Sequence, residues 1–120
     1  MTDLEEQVQR LKYQVRLLAE TVDFRDHPVP SLVVELDWGS DELSKAHDIF
    51  EEYERKINKN KKISWMKFEV KFKDELSIGY QRLKSVVLAF YRNGQWVRVC
   101  TEYAKEHEVV EFYEILEEEA

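Results

Sequence analysis

Turn-forming residues are scarce in this chain: three glycines and two prolines stand among 120 residues. A β-sandwich or barrel needs a turn about every ten residues, most of them built on Gly, Pro, Asn or Asp, and the supply here falls short. Charged residues make up 36% and apolar residues 43% of the chain, the balance of helices with one buried stripe and one solvated face. The expected fold is therefore all-α, a multi-helix bundle forming a single domain over residues 1–120, with one core that buries roughly two-thirds of the surface exposed on unfolding.

The first helix is the most sharply defined. Leu4, Val8, Leu11, Val15, Leu18 and Val22 follow one another at alternating steps of four and three residues. This is the seam of a heptad repeat, with a period of about 3.5 residues rather than the ~3.6 of a straight amphipathic helix. It predicts a long amphipathic helix over 3–22 with Thr2 or Asp3 as its cap, inside a heptad unit spanning 1–23. Valine and leucine alternate along the seam, an arrangement that suits a two-stranded parallel contact, so these six residues are the candidate interface between copies. Packing of the seam on its own domain is the competing reading.

Asp23 to Pro30 holds both prolines and reads as a turn, because the residue before a proline is pushed out of the helical region. A short helix over Ser31 to Leu36 follows, with Gly39 placed to end it, and Ser40 or Asp41 caps a second long helix over about 41–58. Residues 63–72 are ambiguous: Phe68, Val70 and Phe72 alternate as in a strand, whereas Trp65, Phe68, Phe72 and Leu76 share a helical face after Ser64. The helix is preferred, since no second strand is signalled nearby. Asn93-Gly94, often a β-hairpin signal, lies between two helical patterns and is expected to be a helix end, so 80–105 reads as a C-terminal helical hairpin with Gly94 in the left-handed region. Val109 to Leu116 is apolar enough to dock as helix before a Glu-rich end that frays.

Charge is unevenly spread. The net charge is −7, which weighs against nucleic acid as the main partner. Yet residues 55–73 carry eight basic residues against Glu69, while the acidic tail 106–120 carries seven glutamates and neither Lys nor Arg. Lys56, Lys59, Lys61, Lys62 and Lys67 are the candidate contacts for an anionic partner. Trp65, Phe68, Phe72, Tyr91 and Trp96 could in principle stack on bases beside Lys67, Lys71 and Lys73, but helical spacing favours a core role for the rings. Cys100 is the only cysteine, so neither an internal disulfide nor a thiolate zinc site is expected, and a reducing, cytoplasmic setting fits. Apolar runs such as Val86 to Phe90 are far shorter than the ~20 residues of a bilayer span, and the N-terminus is acidic and amphipathic rather than signal-like. His47 and Glu51 share a helix face, and Cys100 and His107 are separated by two helical turns; neither pair makes a catalytic or metal set. No catalytic, cofactor or metal residues are assigned.

The strings Arg10-Leu-Lys-Tyr-Gln-Val-Arg-Leu-Leu18, Thr21-Val22-Asp23 with Pro28, and Ala89-Phe-Tyr-Arg-Asn-Gly-Gln-Trp96 resemble the YhaI-type family of small uncharacterised bacterial proteins. The likeness runs from about residue 8 to 107, with a Ser64-Trp65 helix start in between. It implies an all-helical bundle that assembles into oligomers, with no assigned activity. The basic loop at Lys59 to Lys62 and the acidic tail depart from it. The reading that follows is a non-enzymatic, oligomeric protein-interaction module, a regulator or inhibitor of an unidentified protein partner. A nucleic-acid-associated regulator using residues 55–73 is the alternative.

Overall fold

The structure is a computed structural model and describes residues 3–119. The elements are α1 (Asp3–Glu20), α2 (Pro28–Glu35), α3 (Ser40–Asn58), α4 (Trp65–Leu76), α5 (Tyr80–Arg92), α6 (Val97–His107), a 3₁₀ turn (Val110–Phe112) and α7 (Tyr113–Glu118). No strand occurs among the described residues, and the all-α bundle with a long first helix is what the composition demanded.

The core is built mainly by α3 to α6, joined by Leu32 of α2 and by Phe112 and Ile115 near the C-terminus. On α3, Ala46, Ile49, Phe50, Tyr53 and Ile57 recur at helical spacing and are all buried. They meet Phe68, Phe72 and Leu76 of α4 and Val99, Cys100, Tyr103 and Ala104 of α6. Phe50 lies at the centre, its ring 4.8 to 5.7 Å from those of Phe68, Phe72, Phe90 and Trp96 in edge-on or tilted contacts, geometries that suit the quadrupoles of aromatic rings. Helix α5 packs on α2, α4 and α6. The ambiguous segment is helix: Ser64 accepts the backbone N–H of Lys67 as an N-cap, and Phe68 and Phe72 point inward. Burial of those rings across α3 outweighs the strand-like alternation.

Three boundaries differ from those expected. Helix α2 begins at Pro28, with both prolines in its first turn, where a missing N–H costs nothing. Gly39 does not end α2; it caps α3, its extended N–H donating to the Glu42 carboxylate, and α2 stops where Asp37 turns to positive φ. Helix α1 stops at Glu20, leaving Val22 beyond its end, half-buried in the turn that follows. Asp3 opens that helix; Thr2 lies outside the described residues.

Gly94 takes φ +72 between α5 and α6, as its place after Asn93 predicted. A Cβ there would meet nothing within 4 Å, so the penalty for substitution is backbone strain alone. Gly94→Val is expected to cost about 1 kcal/mol or more, because a β-branched residue is forced to positive φ; Gly94→Asn should cost less. Thermal melts of the two variants check this, and an unshifted Val variant would show that the turn tolerates another backbone path.

Candidate functional site

Helix α1 has no buried residue. Its seam is open: Leu4 and Leu18 are 67% exposed, Leu11 58%, Val15 49% and Val8 40%. Tyr13 and Leu17 are exposed beside it, so the apolar surface is wider than a two-position stripe. The molecule measures 56 × 28 × 20 Å, and α1 takes no part in the closely packed helix pairs that make the core. Between α1 and α2 runs an open groove of about 590 Å³, walled by Val8, Leu11, Val15 and Ala19 on one side and Val34 on the other. Lys12, Arg16 and Asp37 form its polar rim. The structure thus brings five of the six seam residues together on one exposed helix face; Val22 is not among them.

The connection between α1 and the body is also specific. Phe24 stands exposed after α1, and the Arg92 guanidinium of α5 lies 5.1 Å from its ring centroid, with Arg25 at 5.8 Å on the same ring. Cation–π contacts of this kind are worth about 0.5–1 kcal/mol at exposed sites, a modest tie between the segment after α1 and α5.

The basic candidates separate into two groups. Lys56 lies 3.1 Å from Glu52 and 4.6 Å from the Tyr53 ring, so its charge is engaged within α3. Lys59, Lys61, Lys62 and Lys67 are exposed around the α3–α4 loop and the first turn of α4, with no ion pair among the described residues. Lys71 bonds Glu52 across the two helices; that hydrogen bond holds the Glu52 carboxyl below its ordinary value and raises the Lys71 ammonium. The aromatic rings take the core role that helical spacing favours over base stacking: Phe68 and Phe72 are fully buried, Tyr91 is buried, and Trp65 and Trp96 are partly buried at the core edge.

Histidine and cysteine are engaged in packing. The His47 ring contacts Phe90 and Trp96, while Glu51 accepts the Trp96 indole N–H. Cys100 donates weakly to the Val87 carbonyl, and burial pushes its thiol well up. His107 lies on Tyr103, whose hydroxyl donates to Glu69; burial and that bond raise the phenol. Among the described residues no three His, Cys, Asp or Glu side chains gather as a metal site would need, and no helix is long and apolar enough to cross a membrane.

The acidic tail does not reach the basic loop. Its glutamates bind α5: Lys84 donates to Glu111, Arg92 to Glu114 through two nitrogens, and the Tyr91 hydroxyl to Glu118. Phe112 and Ile115 are fully buried beneath them. Amphipathic spacing in the tail was visible in the sequence; its partners, 22 to 27 residues upstream, were not.

Residues 1–108 match the model of a family described as a protein of unknown function, DUF1878. The chain belongs to the DUF1878 family. Comparison with curated proteins and with solved structures gives no match. The DUF1878 match takes in α1 to α6 and the whole exposed seam, whereas Phe112, Ile115 and the tail carboxylates Glu111, Glu114 and Glu118 that bind α5 come after it.

The Lys84–Glu111 bond has a pH signature in this DUF1878 protein. Lys84 holds the Glu111 carboxyl below its ordinary value of 4.5, as Lys71 does for Glu52. A carboxyl depressed in the folded state binds fewer protons there than when unfolded, so its stabilisation is full above that value and is lost as pH falls through the folded one. Urea midpoints should therefore drop as pH is lowered below about 4.5, and Glu111→Gln should flatten that drop. An unchanged slope in the variant would show that Glu111 titrates as it does in the unfolded chain.

Proposed function

We propose that this protein is a self-associating helical interaction module of the cytoplasm, that it acts by binding rather than by catalysis, and that α1 is the contact between copies. The observation that carries the reading is a heptad seam displayed on a helix with no buried residue. Valine alternates with leucine along it, as in helices that pair with a second helix. Burying five half-exposed Leu and Val side chains is worth about 1–2 kcal/mol each, on the order of 5–10 kcal/mol in all. Association itself costs about 4–15 kcal/mol, so a two-helix contact alone is weak. The groove wall at Val34 adds the surface that a stable contact needs, and a second copy's α1 lying along the groove covers both. The YhaI-type resemblance supports the same reading. A role as regulator or inhibitor of a partner protein follows if assembled copies present their charged ends outward.

Sedimentation or light scattering from about 1 to about 100 µM tests it, because association follows mass action. The weight-average mass should rise above 14.5 kDa with concentration. A mass that stays monomeric throughout would end the proposal.

The nucleic-acid reading retains one favourable observation, the exposed Lys59, Lys61, Lys62 and Lys67. Phosphate contacts by these four predict salt-sensitive retention on heparin and on labelled DNA or RNA. Loss of retention on replacing all four by glutamine would favour it; no retention by the wild type at low salt would remove it.

A further inference from the structure

We propose that the α5–α6 surface under the tail is a recognition groove for acidic amphipathic helical segments, occupied here by the chain's own residues 110–118, and that the same segment of a second copy takes its place by exchange.

The groove has a definite chemistry. It takes two apolar side chains, Phe112 and Ile115, both fully buried, with the Phe112 ring 5.8 Å from Tyr103. It also takes three carboxylates on a neighbouring face, spaced by three and four residues: Glu111 on Lys84 at 2.6 Å, Glu114 on Arg92 at 2.9 Å and Glu118 on Tyr91. Lys84 makes an acidic occupant necessary. Its residue is 5% exposed, its ammonium lies 4.8 Å from the Tyr80 ring, and Glu111 is the carboxylate that compensates it. A buried ammonium without a counter-charge is costly, so an apolar or basic segment could not replace the tail.

The present occupant is weakly anchored by its own structure. Helix α7 has six residues, too few to persist without the surface it lies on. Its tether passes through Glu108 at φ +44, a left-handed conformation that a residue with a Cβ adopts at a cost and gives up on release. A segment held by a short strained joint to a groove fitted to its sequence is a setting that invites exchange between copies.

Two measurements test this, and neither depends on α1. The first is binding of a fluorescent peptide of residues 108–120 to the full chain, followed by anisotropy. In the wild type the tethered segment competes at an effective concentration on the order of millimolar. The full chain carrying Glu114→Ala and Ile115→Ala should therefore bind the peptide at least about tenfold more tightly than the wild type. A peptide with Glu111, Glu114 and Glu118 replaced by glutamine should bind at least about tenfold more weakly than the native peptide. Failure of the variant to bind at about 100 µM while it keeps its helical signal and cooperative melt, or equal binding of the glutamine peptide, would overturn the groove. The second measurement keeps the tail and groove intact, in case the weakened variant does not fold. Unlabelled and isotope-labelled chains, both carrying Leu11→Asp and Leu18→Asp to break any α1 contact, are mixed and coupled with a zero-length carbodiimide. Lys84–Glu111 cross-links of mixed isotope composition are expected. Cross-links only within one isotope would overturn exchange, and because both chains lack the α1 contact the result is independent of whether α1 associates.

Discussion

Replacing Leu11 and Leu18 by aspartate should reduce the protein to monomers while leaving its core intact. Both side chains stand on the open face of α1, and neither belongs to the buried cluster of α3 to α6. In an assembled pair of helices the two aspartates would sit desolvated against leucine and valine, at a cost of several kcal/mol per charge. The α1 association constant should fall by at least about 100-fold, and the mass measured at tens of micromolar should fall to near the monomer value, any residual pair being the tail-exchanged one. Helical circular dichroism should lose at most the contribution of α1, and the melting transition of the body should persist. Val34→Asp, on the opposite wall of the groove, should weaken association by a smaller factor. If the double variant assembles as the wild type does, the seam is not the contact. If it loses all cooperative melting, α1 packs into the core in solution.

Phe50→Ala should be among the most destabilising single truncations in the aromatic cluster. Its ring has no exposed surface and meets four other rings within 5.7 Å. Truncation removes the transfer energy of a full phenyl group and leaves a void that helices from three directions cannot close, which costs about 3–5 kcal/mol. Against a total stability of about 5–15 kcal/mol for a domain of this kind, that is a large share, and the variant should be partly unfolded near body temperature. Phe50→Leu, which refills most of the volume, should cost about 1–2 kcal/mol. Denaturant titration separates the two. Leu18→Ala on α1 provides the contrast: measured on the monomer, it should shift stability by no more than about 0.5 kcal/mol, since it removes little buried surface. Equal losses for Phe50→Ala and Leu18→Ala would contradict the division between body and first helix.

The candidate site was legible to different depths at its different parts. The seam could be read to the residue, because a heptad is a property of spacing along a single helix and needs no partner to be recognised. That the seam is exposed could not be read, since a helix packed on its own domain shows the same stripe. The tail is the reverse case. Glu111, Phe112, Glu114, Ile115 and Glu118 have a visible amphipathic order, yet nothing local links them to Lys84, Tyr91 and Arg92 on a helix more than twenty residues earlier. Lys84 itself lies between Leu83 and Ser85 with no mark of being buried.

What the sequence determined by itself were the features that act within one helix or one turn. The shortage of glycine and proline excluded a β-fold, Ser64 marked the start of α4, Asn93-Gly94 broke α5 from α6 at a positive φ, and the periodic apolar residues of α3 chose its inner face. Local dihedral preference and 3.6-residue periodicity are sufficient for these. Tertiary structure decided the rest. It fixed residues 68–72 in the helix that spacing already favours by burying Phe68 and Phe72 against Phe50, and it tied the acidic tail to α5 rather than to the basic loop. Each of these outcomes is set by surfaces brought together from distant parts of the chain, and the free energy that selects them, ring burial and compensation of a buried ammonium, exists only once those surfaces meet.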